Sequence, residues 1–548
     1  MAQHRKIIEL VVCLLGTFAT RSVLGIGTAQ AADTLVVRYG PFTETITLSE
    51  LQQIAQTGKI PSGYDIYTHR LSLGQRQQLV TALRTNVPIS VVTMNNLLST
   101  RIGSTILNDL SSVIRRRDDA RFQAVRGALV LGSTAPQGLS VLSFIANYPS
   151  KQLEIDLPQA FKVAGSFNTA FWQTQRFMAA IEPRLSSRKV QLKLPLDASK
   201  PGSAEVKILK LNLDDRKRRR KIPVDLYWSK DTNSSKPVII FSHGLGSVRT
   251  ELKYLAEHLA SHGYPVVTLE HPGSNEANVN SALVGKNRIM KPQEFLERPQ
   301  DISFVLDQLD TSNRNGSFPL TGKLATNNVI ILGYSFGGST ALAVGGAEYQ
   351  LEFLKQRCKD NLAVVSLGEG MQCIAQELPE NNYSFRDARI KRVIALNPTT
   401  SLLFGDTGLS KVQVPTLVLA ASADKTTPAL TEQVINFDKL PNPKSLVGIV
   451  GATHLSVKDP NATLDQSGKI DTPISGGEIV GAQAVDVRNY VKSIVLASAA
   501  QLTPEAKKYE VFLTADYAQF ASTQAFPIRL ITQIPPEAMA IAKELLQK

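Results

Sequence analysis

The chain has 548 residues, 43% hydrophobic and 20% charged, enough for roughly two to four globular domains at about 150 residues each. Three cysteines exclude a disulfide-dense scaffold and a cysteine-rich zinc module, and no apolar run reaches the roughly 18 residues of a membrane span, which excludes a multi-span membrane protein. The 60 Lys and Arg against 47 Asp and Glu leave a net charge of +13, which alone admits nucleic acid, an anionic membrane or neither as partner.

The N-terminal segment reads as an address. Arg5 and Lys6 precede an apolar stretch over residues 10–19, and Ala29-Gln30-Ala31 places small residues at an A-x-A spacing. The expectation is a signal peptide over 1–31, cleaved near Ala31, and a mature chain exported to the periplasm or the medium. A retained anchor is the rival, disfavoured by the short run. Export places Cys358 and Cys373 in an oxidising compartment, where a disulfide and two buried thiols both remain open.

Residues 33–184 are expected to form a mainly helical accessory domain. A strand pair over 34–38 and 44–47 opens it. Thr47-Leu48-Ser49-Glu50 has capping-box spacing, with Leu51, Ile54 and Ala55 following on one face. Ser72-Leu73-Gly74-Gln75 repeats that signal ahead of Leu79 and Leu83, and further helical runs cover 94–114, 120–131, 139–147 and 158–181. The region holds His69 but no catalytic spacing, so packing is its expected role.

The pattern changes after Ser187. Residues 190–194, 206–213 and 222–228 read as strands. The basic run Arg216-Lys217-Arg218-Arg219-Arg220-Lys221 sits at an expected hairpin tip with no aromatics interleaved. It therefore reads as solvated charge, with no nucleic acid partner and at most weak association with a membrane surface. Buried-type strands over 237–242, 265–270, 328–332, 392–396, 416–421 and 446–450 then alternate with helical stretches over 251–262, 299–309 and 340–347. Such alternation predicts an α/β fold, a mostly parallel central sheet with helices on both faces, whose ligands bind at the strands' carboxyl ends. The catalytic domain is assigned to 187–500, with lid-like insertions over 275–298 and 349–386 and a last core helix over 485–497. Residues 501–548 are expected to be a C-terminal helical extension.

Chemistry concentrates in Gly333-Tyr334-Ser335-Phe336-Gly337-Gly338, a G-x-S-x-G pattern with apolar Val329–Leu332 before it and a helix start after it. Glycines flank a turn too sharp for side chains, and Ser335 is projected at a helix N-terminus, where the dipole favours developing negative charge. A serine hydroxyl needs a base, and His454, just after the last strand, is the candidate. His258 and His262, four apart on a helix, have no third ligand in view and read as packing histidines; His243 and His271 follow strand ends and are pocket candidates. Asp424, after the 416–421 strand, is the candidate acid, with Asp406 weaker. The oxyanion hole is assigned to the backbone N–H groups of Phe336 and of Leu245, in the loop that follows Ser242-His243-Gly244. No metal or organic cofactor is implied.

Gly333-Tyr334-Ser335-Phe336-Gly337-Gly338-Ser339-Thr340 and Glu270-His271-Pro272-Gly273-Ser274 resemble the dienelactone-hydrolase and platelet-activating-factor acetylhydrolase branch of the α/β-hydrolase superfamily, over residues 206–495. Residues 33–184, with Val37-Arg38-Tyr39-Gly40-Pro41-Phe42, are similar to a helical domain of unknown function found ahead of secreted bacterial hydrolases. The resemblance implies an α/β-hydrolase fold and a serine esterase acting on acyl or lipid-type esters, with triad order Ser335, Asp424, His454. One departure stands out: the acetylhydrolase pattern implies an acid after the 392–396 strand, where this chain has Asn397-Pro398. An acyltransferase on the same triad and a non-catalytic binding protein on this fold are the alternatives.

Overall fold

The alternating stretch after Asp33 folds back on itself: β1 (Thr34–Tyr39) pairs antiparallel with β2 (Phe42–Thr47). The structure is a computed structural model and describes residues 31–39, 42–61, 80, 83–84, 86, 91–98, 107, 110–116, 120–156, 159–160, 169–185, 190–283, 286–316, 318–359, 366–461 and 478–547. The expected leader before Ala31, His69 and the helix signal at 72–75 lie outside these residues. Two compact units divide the chain, Met1–Val163 and Ala164–Lys548.

In the first unit the Thr47 hydroxyl accepts the Glu50 N–H while the Glu50 carboxylate takes the Thr47 N–H. This capping box starts helix Leu48–Thr57, which buries Leu51 and Ile54 and ends where Gly58 adopts φ 71°. Among its described residues the unit holds strands that the helical reading did not include. β3 (Ile114–Arg115) and β4 (Gln152–Asp156) complete a sheet of order β2-β1-β4-β3, with β4 parallel to β1. Strands this short carry too little periodicity to announce themselves. Helices Val91–Leu98, Arg121–Gly132 and Val141–Ala146 supply the rest of the core around Val125, Ala128 and Ile145.

The second unit begins earlier than the sequence boundary at Arg184. Helix Thr169–Ile181 belongs to it: Phe177 packs with Leu430 and Ala542, the Thr174 hydroxyl accepts the Leu430 N–H, and Gln175 Nε2 donates to the Ser422 carbonyl at 2.7 Å. The pattern of this helix reveals an apolar face but not which body that face covers.

Among the described residues the central sheet has nine strands. In chain order they are β5 (Val206–Asp215), β6 (Arg220–Ser229), β7 (Pro237–Ser242), β8 (Val266–Leu269), β9 (Ala325–Tyr334), β12 (Ile390–Leu396), β13 (Thr416–Ala421), β14 (Lys444–Ile449) and β15 (Ile528–Ile531). A separate two-stranded ribbon, β10 (Tyr349–Gln350) with β11 (Asn382–Tyr383), lies in the 349–386 insertion. The sheet order is β15-β14-β13-β12-β9-β7-β8-β6-β5, parallel from β14 to β8 and antiparallel at both edges. Residues 501–548 hold helices Ala515–Phe520 and Pro536–Gln547 but also contribute β15 to the sheet, and residues 190–194 form no strand.

Both faces of the sheet are buried, which is why its central strands read as continuous apolar runs. On β7, Val238 and Ile240 enter the core that includes residues of helices Glu294–Arg314 and Phe336–Val344. Ile239 and Phe241 enter the core shared with helices Lys253–Ser261 and Val485–Ala500. In the 349–386 insertion, Cys358 and Cys373 are joined by a disulfide.

The basic hairpin departs from its reading as solvated charge. Arg216, Lys217, Arg219 and Lys221 are exposed, but Arg218 and Arg220 turn inward. Arg218 pairs with Asp215, Glu297 and Asp301 at 2.6, 2.6 and 2.8 Å; Arg220 pairs with Glu294 and Asp301 at 2.7 and 2.8 Å. Arg218, in the turn, and Arg220, at the start of β6, both face helix Glu294–Arg314, a partner far away in sequence. Truncating one member of a buried pair strands the other charges, so Arg220→Met is expected to lower unfolding free energy by about 3–5 kcal/mol. Arg216→Met, at a 92% exposed side chain, should stay within about 0.5 kcal/mol of wild type in the same urea titration.

Candidate active site

β9 runs straight into a strained turn. Ser335 sits at φ 55°, ψ −122°, and helix Phe336–Val344 starts at the next residue. The flanking glycines are sterically required: a Cβ on Gly333 would collide with the Gly337 carbonyl, and one on Gly337 with the Ser242 carbonyl. The turn therefore packs directly against the end of β7, beside the His243-Gly244 loop.

The three side chains picked out as nucleophile, base and acid meet here. His454 Nε2 lies 3.0 Å from Ser335 Oγ, and His454 Nδ1 lies 2.6 Å from Asp424 Oδ2. A carboxylate only accepts, so Nδ1 carries the imidazole proton and Nε2 is left to accept from the Ser335 hydroxyl. Asp424 is wholly buried and itself fixed: Oδ1 accepts the Thr426 and Thr427 N–H groups at 2.8 and 2.7 Å, and Oδ2 accepts the Thr427 hydroxyl at 2.8 Å. The backbone of His454 is held as well, its carbonyl accepting from Tyr334 Oη at 2.9 Å and from Asn397 Nδ2 at 3.3 Å. Burial works against the imidazolium, but the Asp424 charge and hydrogen bond outweigh it and raise the His454 pKa above 6.5. Asp406, the weaker candidate acid, is fully exposed and lies 3.8 Å from Lys439, so it takes no part in this cluster.

Asn397, at the end of β12, is buried and holds φ 44°. Its side chain meets the His454 carbonyl rather than the imidazole. The carboxylate that meets the imidazole stands after β13, not after β12.

The loop after β7 has a defined set of backbone donors. The Gly244 N–H is taken by Glu251 Oε2 at 2.8 Å and the Gly246 N–H by the Ser274 carbonyl at 2.9 Å. Among the described residues nothing takes the intervening Leu245 N–H or the Phe336 N–H at the helix start.

His243 and His271 do not line a pocket. Both are fully buried behind the loop. His243 Nδ1 donates to the Gly244 carbonyl at 2.6 Å and its Nε2 accepts the His271 N–H at 3.0 Å. His271 Nδ1 donates to Asp301 Oδ2 at 2.9 Å and its Nε2 accepts from Ser242 Oγ at 3.0 Å. Burial, reinforced by the Arg298 charge, holds both well below the usual histidine pKa, so they are neutral polar struts.

Arg298, which the sequence reading missed, ties these struts to the helix behind them. Wholly buried, it donates to the His243 carbonyl at 2.7 Å and to Ser274 Oγ at 2.8 Å, and its guanidinium stacks 4.3 Å from the centre of the Phe336 ring. Ser274 donates in turn to Glu294, which joins the network to Arg220. Nothing in the spacing of these residues marks them; their partners lie tens of residues away. The His258 and His262 rings meet edge to face, centroids 4.9 Å apart, at the end of helix Lys253–Ser261, and among the described residues no cluster of three or more His, Cys, Asp or Glu is placed to hold a metal.

Two family models match the chain. One, described as an alpha/beta hydrolase of unknown function, covers residues 31–156, within the first unit. The other, platelet-activating factor acetylhydrolase, isoform II, covers residues 219–309, the stretch that holds Leu245, Glu251, Arg298 and Asp301. A platelet-activating factor acetylhydrolase of Cavia porcellus is 26% identical over 150 residues, 22% of this chain and 34% of that protein. Its counterpart from Canis lupus familiaris is 26% identical over 148 residues, 20% of this chain and 32% of that protein. The chain thus spans about a third of the length of the curated relatives it matches.

Proposed function

We propose that this chain of the α/β-hydrolase superfamily is an exported serine hydrolase that cleaves carboxylic esters of the acyl or lipid type. The observation that carries this reading is the continuous hydrogen-bonded line from Asp424 through His454 to Ser335 at a helix N-terminus.

Ser335 Oγ attacks the acyl carbon as His454 Nε2 takes its proton; Asp424 holds the imidazole in the tautomer that can accept it and stabilises the imidazolium. The negative charge that develops on the carbonyl oxygen is met by the Leu245 and Phe336 N–H groups, the two amides without an internal acceptor. Imidazolium Nε2–H then protonates the departing alcohol. A water, deprotonated by the same nitrogen, attacks the acyl-enzyme, and Ser335 recovers its proton as the acid leaves. Preorganisation is the chemical purpose of the buried frame: Glu251 and Ser274 occupy the neighbouring amides, and Arg298 fixes the carbonyls, so the Leu245 amide needs no reorganisation when charge appears.

Labelling by a fluorophosphonate probe, combined with hydrolysis of short p-nitrophenyl esters, tests the reading. One label per folded chain and a matching loss of hydrolysis are expected. A folded wild type that takes no label would overturn it.

A further inference from the structure

A cavity lies in the Ala164–Lys548 unit and is lined by none of Ser335, Asp424, His454, Leu245 or Phe336. Its volume is about 330 Å³, within the roughly 300–1,000 Å³ of small-molecule sites. The floor is the end of the sheet, where β13, β14 and β15 run side by side; the roof is helix Thr169–Ile181, through Phe177 and Met178, and helix Pro536–Gln547, through Ala538 and Ile541. The polar residues of the lining are Arg184, Ser422, Gln519, Arg529 and Glu537.

We infer that this cavity binds the anion of an aliphatic monocarboxylic acid, with its chain between the two helices and the sheet and its carboxylate toward Arg184 and Arg529.

Two independent features point to an occupant. The first is Gly448, inside β14 and directly opposite Arg529 on β15. Its backbone conformation suits any L residue, and a Cβ there would meet no atom within 4 Å. Glycine weakens a strand interior and marks places where something else approaches the backbone closely. At Gly448 no protein atom does so, and the space over it is the cavity. Alternation puts Leu446 and Gly448 on the same face of β14, so one bare position opens a floor that is otherwise apolar.

The second is charge. The lining brings two guanidinium groups against one carboxylate, which favours an anion over a cation. Burial presses the Arg529 pKa downward. Helical walls of Phe, Met, Ile and Ala offer hydrogen bonds to nothing but a flexible methylene chain needs none. This site is argued apart from the Ser335 chemistry and stands or falls separately from it.

Isothermal titration of the full chain with dodecanoate, held below its micellar concentration, tests the inference. Wild type is expected to bind one dodecanoate, and Gly448→Leu, which fills the floor, to weaken binding at least tenfold. Ala538→Phe fills the same space from the roof and should do likewise, so the test survives if one variant misfolds. Arg529→Leu should weaken dodecanoate while leaving dodecanol unchanged. No binding by wild type, or equal binding by folded Gly448→Leu and Ala538→Phe, would overturn the site. Equal loss of dodecanoate and dodecanol in Arg529→Leu would overturn the carboxylate anchor.

Discussion

Ser335→Ala is expected to lower kcat for short p-nitrophenyl esters by about 10⁶-fold and to eliminate fluorophosphonate labelling. The magnitude follows from the absence of a substitute among the nearby hydroxyls. Ser339 Oγ is committed to Thr399, and Ser242 Oγ donates to His271, so neither can stand in at His454 Nε2. Alanine retains the Cβ, so the φ 55° strain at the turn persists and the fold should be unchanged by circular dichroism. A residual acceleration over water of about 10³-fold should remain, because the amides of Leu245 and Phe336 are untouched. Substantial hydrolysis by the folded variant would mean that another group is the nucleophile.

Asp424→Asn should lower kcat by about 10⁴-fold while the backbone around it holds. Asparagine can keep Oδ1 as an acceptor for Thr426 and Thr427, but its amide turned toward His454 would donate where the carboxylate accepted. That moves the imidazole proton to Nε2, the nitrogen that must be free to take the serine proton. The pH profile provides a second readout. The reaction needs neutral His454, so the raised pKa places the acidic limb of kcat/KM above 6.5. Removing the carboxylate leaves burial as the dominant influence, which favours the neutral ring, so the limb should move to lower pH. Asp406→Asn, at an exposed side chain, should leave both kcat and the limb unchanged. An Asp424→Asn enzyme with wild-type kcat and limb would show that the acid lies elsewhere.

How much of this was readable depended on distance along the chain. The elbow is local: four apolar residues, two glycines and a helix start fall within a dozen positions, and the steric need for Gly333 and Gly337 is written into the motif. Asp424 and His454 could be named because both follow a buried strand, and in a parallel sheet such positions converge at one end. The frame behind them had no such signature. Glu251 reaches Gly244 from seven residues away, but Arg298 reaches His243 across 55 and Arg220 reaches Glu294 across 74, with no periodicity connecting them. The same limit explains β15: Ile528-Arg529-Leu530-Ile531 is a plausible strand only once β14 provides an edge for it. The basic hairpin was misjudged for the same reason, since inward and outward arginines are identical until helix Glu294–Arg314 is in place.

Helix Thr169–Ile181 limits how freely this hydrolase body can be recombined. It precedes every strand of the large sheet, yet it holds the Ser422 carbonyl two residues before Asp424 and receives the Leu430 N–H just beyond it. The segment bearing Asp424, the proposed acid, is therefore clamped from both sides by a piece of chain outside the strand–helix alternation. A chimera joined at Ser187, where the alternation begins, would inherit Ser335, Asp424 and His454 intact. It would still leave the acid's brace with the donor, so the exchangeable module is larger than its recognisable motifs.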